Sequence, residues 1–579
     1  MNNNRINKLT RNLLILIGII ILVNLISQKL FFRCDLTSEK RYSLTDFSKS
    51  SLKNLKGNIT ITIYLSGKKL PLNFKKFQKS IEQILSEFKI YSGKKIIYKF
   101  FDIYDDRLKT QDRHKIFKEL NELGVYFVQN TEIDKSQATQ SIIIPGCIIK
   151  YTYFDNKQNK NITKKVGLNL LDFDSNYEQT SIQNINNSTQ TLEYKLINEI
   201  TKLAQKQKNK IVFLEGHGEL NENYVIDFER SLAEYYEILR GEIKERFGIL
   251  DSIALLIIAK PTKQFSDADK YIIDQYIMKG GKILWLVDGV NVSMDSIYLY
   301  EKAYAFPANT QVLKIDDILF TYGIRINSDI VQDYVCSTIL LKAQSPAGQA
   351  VDYHYNWYYF PLIITKNNHP INKYIDAIRT EFISSIDTVG NNHKIKKTPI
   401  LSTSNTSKII PVNFPVEINF KEIIKQANIN EFKKSSVPIA YLLEGEFNSH
   451  WKGRISKYNN IYPTIQTSKH TKMIIIADGD IAKNIVKNNG ETMPMDFDKF
   501  SLSSFKGSKQ FLINSVNYLL DESNIMQLRM RQIKLRLIKE NISYSQIAAS
   551  KILNITLPVI VIVLLGFVFN INRKRKYTK

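Results

Sequence analysis

The chain ends on ILNITLPVIVIVLLGFVFNIN, Ile552–Asn572, followed at once by Arg573-Lys574-Arg575-Lys576. As a helix rising ~1.5 Å per residue, such a run spans ~30 Å, the thickness of one hydrocarbon core. Inside lipid an unpaired backbone amide finds no water, so a lone span has to be helical. Pro558, near its start, is tolerated in a membrane helix. The sequence therefore predicts a transmembrane helix over 552–572 and, because Lys and Arg collect on the inner side of spans, a cytoplasmic basic tail over 573–579. A second apolar segment, LLILIGIIILVNLISQKLFF at 13–32, follows Arg5, Lys8 and Arg11. Its unbroken run, Leu13–Val23, would also suit a signal peptide, but NLISQKLFFRCD lacks the small-x-small pair that signal peptidase needs. We expect an uncleaved anchor preceded by a cytoplasmic N-terminus at 1–12. Two spans place both ends on one side, so residues 35–550 are expected outside the cytoplasm.

Between the spans the pattern is α/β. Residues 37–182 read as a small α/β domain, thioredoxin-like in outline. NITITIYLSG alternates as a strand. NFKKFQKSIEQILSEFKIYS sets Phe74, Phe77, Ile81, Ile84, Leu85 and Phe88 on one helical stripe. SIIIPGCIIKYTYF and KKVGLNLL read as two strands flanking a polar turn. Residues 183–209 read as a linker, Gln183–Gln190, and a helix. From 210 to 300, apolar strands (IVFLEG, SIALLIIAKP, KILWLVDG) alternate with helices predicted over Asp227–Tyr236 and from Ser266 to Gly280-Gly281. The latter has Ser266 as N-cap and Asp267 and Asp269 in its first turn. KMIIIADGDIA and SKQFLINSVNYLLD continue the pattern in 470–522. Apolar strands alternating with helices predict a doubly wound, mostly parallel sheet covered on both faces. Residues 301–469 are expected as a mixed inserted region. It contains a helix at Asp316–Tyr322 and extended stretches at Ile330–Asp333 and Pro438–Glu444. Residues 523–551 form a basic juxtamembrane segment carrying Arg529, Arg531, Lys534, Arg536 and Lys539, suited to anionic lipid or to solvent.

The formal charge of +24 would suit an anionic partner. The lysines are scattered and no nucleic-acid motif accompanies them, so a basic solvated surface is expected and nucleic acid is not. Cys34, Cys147 and Cys336 are widely spaced, with no C-x-x-C to hold zinc or a redox pair.

In parallel α/β sheets ligands bind beyond the carboxyl ends of the strands. There the sequence places Glu215, His217 and Glu219 after the first strand, Lys260 after the second, Asp288 after the third, and Asp478 and Asp480 after the last. These acids and the histidine form a candidate docking or ligand-binding rim. The same residues also suit βα turns, where Asp caps helices and Gly216 and Gly218 supply positive φ. No G-x-S-x-G, H-E-x-x-H, third glycine after G-x-G, or G-x-x-x-x-G-K-[ST] is present. No catalytic residue, metal or cofactor is assigned, and ATP hydrolysis would fall to another chain.

The segments KRYSLTDFSKSSLKNLKGNITITIYLSG, IVFLEGHGELNENYVIDFERSLAEYYEI, DQYIMKGGKILWLVDGV, LKIDDILFTYGIRINSDIVQDY, AYLLEGEFNS and SKQFLINSVNYLLDESNIMQLRMRQIKLRLI occur in this order over most of the chain. With a span at each end, the chain resembles the gliding-motility-associated ABC transporter auxiliary proteins, often described as substrate-binding components. That resemblance implies a non-enzymatic protein of the bacterial inner membrane with a large periplasmic region. It would work with an ABC permease and a separate ATPase subunit in gliding or cell-envelope export. Two other readings stand beside it: a structural envelope scaffold, and a membrane-tethered hydrolase or metalloenzyme using His217 and the rim acids.

Overall fold

A computed structural model describes residues 13, 15–19, 44–171, 182–294, 305–521 and 544–577, apart from 68–69, 106, 135–136, 156–157, 206–207, 345–349, 366–368, 374, 391, 413–415, 420–426 and 455–456. Of the expected span over 13–32 only residues 13 and 15–19 are described, and they are helical. The rest of that span, Cys34, and the basic residues Arg529 to Lys539 lie outside the described residues.

The first domain opens with α1 (Asp46–Lys53), capped by Thr45, whose hydroxyl accepts from the Ser48 amide. Next come β1 (Asn58–Ile63), α2 (Leu72–Tyr91), β2 (Ile96–Phe100) and α3 (Thr110–Glu122). β3 (Val128–Asp134) and β4 (Gln137–Ile143) form a separate hairpin before β5 (Gly146–Asp155) and β6 (Lys160–Asn169). The sheet order is β2-β1-β5-β6, with β1 parallel to β2 and the other pairs antiparallel. Phe74, Phe77, Ile81, Leu85 and Phe88 of α2 are buried against Ile59, Ile61 and Ile63 of β1. The alternation of NITITI aims its isoleucines at that helix. The structure corrects two expectations. SIIIPGCIIKYTYF is broken at Pro145, so one expected strand is two. Gln183–Gln190 is no linker: it lies in α4 (Ile182–Ala204), whose Ile185, Leu192, Leu196 and Ile200 enter the same core.

The second domain contains β7 (Lys210–Glu215), α5 (Glu222–Ala233), β8 (Glu237–Glu242), β9 (Leu255–Ala259), α6 (Asp267–Met278) and β10 (Lys282–Leu286). Further along the chain lie α7 (Asp316–Tyr322), β11 (Ile395–Ser402), β12 (Pro438–Gly445), β13 (Thr471–Ile476) and α8 (Gly507–Leu520). One seven-stranded sheet has the order β11-β12-β13-β10-β9-β7-β8. The five strands from β13 to β8 are parallel, while β12 and β11 extend the edge antiparallel. The region 301–469 is therefore not a separate insertion: it supplies two strands to the main sheet.

Each strand serves two cores. Ile257, Leu284 and Ile474 face the side covered by Phe228 of α5 and Phe511 of α8. Ile258, Trp285 and Ile475 face the side covered by Ile273 and Ile277 of α6 and Leu319 of α7. Side chains alternate across a strand, so burial on both faces demands the unbroken apolar runs seen in the sequence. Each large side chain so buried contributes roughly 1.5–3 kcal/mol. Helix α5 begins at Glu222, earlier than the predicted Asp227. Between α7 and β11, a long hairpin (Cys336–Gln344 with Ala350–Ile363) brings Trp357 and Phe360 into a smaller core with Val290 and Phe382.

The C-terminal unit holds α9 (Tyr544–Tyr577), with Pro558 inside it. Its segment Ile552–Arg575 is long and apolar enough to cross a membrane, and its side chains are exposed.

Candidate functional site

The carboxyl ends of β7, β9, β10 and β13 each run directly into the turn that carries a candidate residue. The six expected rim residues do not form one constellation; they divide among three.

At the end of β7 the histidine is clamped. His217 Nδ1 lies 3.2 Å from Glu219 Oε1 and its Nε2 lies 3.1 Å from Asp269 Oδ2. Its ring stacks on Phe265 at 3.8 Å. The His217 amide donates to Glu219 Oε2 and its carbonyl accepts from the Thr262 and Lys263 amides. Burial alone would lower the imidazole pKa. The Asp269 and Glu219 hydrogen bonds outweigh it and raise the pKa to about 9. Asp269, opposed by its own burial, is held below the usual carboxylate range, chiefly by His217 and by the Glu245 amide. The group is thus an imidazolium fixed between two carboxylates. Gly218, at φ +75, is required here because a Cβ would meet Thr262 Oγ1 at 2.1 Å.

Glu215 stands elsewhere. Its Oε1 accepts from Arg240 Nε at 2.7 Å, and Arg240 also pairs with Glu229 and donates to the Leu220 carbonyl at 2.9 Å. This arrangement fastens β8 to β7 and to the start of α5.

The third group gathers Asp288, Asp478 and Asp480, whose ligand oxygens lie within 4.8 Å of one another. Lys260, in left-handed backbone at φ +53, sends its ammonium between Asp288, 3.3 Å away, and Asp480. The backbone of Gly479 closes over them: its amide donates to Asp288 Oδ1, and a Cβ would press on Lys260 Cγ at 2.7 Å. Burial disfavours the Lys260 ammonium, but the charges of Asp288 and Asp480 raise its pKa and keep it protonated. Asp480, though buried, is held low by Lys260 and then Lys483. Asp478 is pushed well up by burial and by the neighbouring Asp288 and Asp480 charges. Its oxygens accept from the Glu381 and Asp480 amides at 3.1 and 2.9 Å. The cluster is close enough to hold a cation, and Lys260 already supplies that positive charge. A divalent ion there would have to displace it.

Asp478 and Asp480 border a cavity of about 530 Å³, lined also by Tyr224, Arg379, Glu381, Lys483 and Asp498. Arg379 Nη1 donates to Glu381 Oε1 at 2.7 Å, and its guanidinium stacks 4.4 Å from the Phe360 ring. The sequence reading placed Asp269 only as a first-turn acid of α6 and missed Arg240, Arg379 and Glu381 entirely. The signal that could find Arg240 is a basic residue within a strand, in register with Phe213 of the neighbouring β7 and two residues from Glu215 along it. Arg379 sits in a two-residue strand, Ile378–Arg379, in a stretch without periodicity.

The assembly so described is a mixed α/β body with a polar cavity at a parallel-sheet rim, in a chain that also carries a helix fit to span a membrane. Residues 208–515, more than half of the chain, match the ABC transporter auxiliary family, described as an ABC-type uncharacterized transport system, and the chain belongs to that family. Residues 38–150 match a domain of unknown function. A relative from Borreliella burgdorferi (strain B31), described as an uncharacterized protein, is 23% identical over 586 residues, covering 99% of each chain. Among solved structures, the mmIFT52 N-terminal domain is 15% identical and aligns over 55% of this chain and 99% of that one, with TM-score 0.30. A protein described as thua-like from Parabacteroides merdae is 7% identical over 58% of this chain and 94% of its own, with TM-score 0.26. Neither superposition is close enough to bear on the fold.

Proposed function

We propose that this chain is the auxiliary, ligand-binding subunit of an ABC-type transport system, not itself an enzyme. It is held to the membrane at both ends with its α/β body on the outer side. The geometry of His217 supports the non-catalytic part: both ring nitrogens are engaged by carboxylates and the ring is closed against Phe265, which argues against this histidine as a general base. Family membership supports the transport setting, and the Ile552–Arg575 helix with its basic tail supports the membrane setting. The strand order, with the first strand of the domain between the second and third, supports a doubly wound sheet. In such sheets the crevice beyond the carboxyl ends binds ligands. A link to gliding motility rests on sequence resemblance alone, and this reading does not depend on it.

Affinity purification from detergent-solubilised membranes tests it. A multi-span permease and a separate ATPase are expected to come with the tagged full chain. Isolation of the chain alone, from cells shown to make both partners, would overturn the reading. External protease is expected to cut the body in spheroplasts; protection of 44–521 would reverse the orientation.

A further inference from the structure

We propose that the cleft beside the carboxyl end of β10 receives an extended segment of a partner polypeptide, which pairs as a short strand with the free edge of Ile324–Ile326. This goes beyond the transport reading and makes no use of the buried acids at the rim.

Ile324–Ile326 pairs antiparallel with Ile386–Thr388. The Val389 amide donates to the Gly323 carbonyl and the Asn327 amide to the Ser385 carbonyl, both at 2.9 Å. Bonded pairs alternate along an antiparallel ladder, so Gly323, Arg325 and Asn327 turn their peptide groups toward that strand. Ile324, Ile326 and Ser328 turn theirs to the opposite edge. Ser328 is met there: its carbonyl accepts from the Val412 amide at 2.9 Å. Ile324 is fully buried. Ile326 is half-buried, and its amide and carbonyl have no hydrogen-bond partner among the described residues. The same edge farther along, at Asp329–Asp333, already carries an antiparallel strand, Ser407–Pro411. Ile326 is the next open position on it.

This edge borders a cleft of about 660 Å³, lined by residues 324–329, by 310–313, by the turn after β10 and by one side of α7. Where the cleft begins, beside Pro411, one residue of main chain bridges its two sides: Val412 donates to Ser328 and its carbonyl accepts from the Thr310 hydroxyl at 2.9 Å. Val287, Leu313, Ile315 and Leu319 give the cleft a buried apolar lining. Val312 and Phe320, also in its lining, are 57% and 59% exposed.

The lining selects the class of occupant. A lipid tail would cover Val312 and Phe320 but leave the Ile326 amide and carbonyl unmet, and an ion or a small polar solute would leave the two apolar side chains in water. A strand meets both needs. One residue of an antiparallel strand exchanges both bonds with its opposite number, and its alternate side chains face one side, where the apolar lining takes them. Charge favours a neutral main chain as well. Of the charged groups in the lining, Asp288 is paired with Lys260 and Asp329 accepts from the Ser385 amide and hydroxyl, which leaves Arg325 and Asp316, one of each sign.

The test selects short linear peptides from a displayed random library against the full chain in nanodiscs, then titrates the strongest binder, made synthetically, by calorimetry. That peptide is expected to carry apolar residues at alternate positions and to slow hydrogen exchange at the Ile326 amide. Methylating its backbone amides one at a time is expected to weaken binding at least about tenfold at one central position, where the donor to the Ile326 carbonyl is lost. Val312→Arg and Phe320→Asp, both at exposed positions, are expected to weaken it by a similar factor. Failure to select any binder, methylated peptides that all bind as well as the parent, exchange at Ile326 left unchanged, or full affinity in both variants would overturn the proposal. The methylated peptides and the exchange measurement leave the protein unaltered, so they decide the matter even if a variant fails to fold. Copurification of permease and ATPase tests the transport reading alone and is untouched by either outcome here.

Discussion

His217 makes a prediction about pH. Its pKa is raised, so the stability it contributes is complete below the unfolded value of about 6.5 and is lost as pH climbs through about 9. Glu219 and Asp269 face it on both sides. Thermal unfolding of the full chain is expected to show Tm falling between pH 6.5 and 9.5, by the equivalent of roughly 2 kcal/mol after allowance for screening. His217→Gln is expected to flatten that slope; an unchanged slope would mean the imidazolium is not clamped. The turn "EGHGE" was legible as a turn because glycines flank the histidine. Its partner Asp269 was not, because an acid in a helix's first turn is accounted for by the dipole and the cap. Ser266 does cap α6, its hydroxyl accepting from the Asp269 amide, while the Asp269 carboxylate reaches across to the histidine.

Helix α6 shows where element-level reading stops. Its caps and length follow from Ser266 and Gly280, as the sequence implied, but the helix presents no face to solvent. All residues from Ala268 to Met278 are buried. Residues of 447–454 and 457–465 lie over the outer side: Tyr271 donates to the Tyr462 carbonyl at 2.7 Å, and Gln275 Oε1 accepts from the Ile465 amide at 2.7 Å. Asp274, fully buried, accepts from the Tyr322 and Ser449 hydroxyls and from the His450 amide. Burial raises its pKa against those bonds. Asp274→Ala would strand all three donors, and about 2–4 kcal/mol of stability is expected to disappear in chemical denaturation. A loss below about 1 kcal/mol would show the covering segment to be dispensable. No local pattern predicts this, because the donors lie far along the chain. The same distance hid β11 and β12 as members of the main sheet: their apolar content is visible, their neighbours are not. Gln183–Gln190 misled for the opposite reason, since polar residues at the start of a long helix look like a linker until the later leucines are seen against α2.

For the chain as a whole, the two proposed spans make a prediction about its location. A chain ended after Asp521 is expected to stay in the membrane fraction through 13–32, and one lacking both segments to appear in the soluble fraction. Fractionation and immunoblotting distinguish them; release by the C-terminal deletion alone would rule out an N-terminal anchor. The order of strands carries a further consequence for how the protein is made. β10 at the middle of the sheet pairs Ile283 with Met473 of β13, so nearly two hundred residues separate these neighbours. Ribosomes emit β7, β9 and β10, the most apolar strands, long before the segment that shields their open edge. Contacts so distant in sequence form slowly, and the nascent half-sheet is a ready template for aggregation. Holdase capture during synthesis, and precipitation of fragments that stop short of Thr471, follow from that delay.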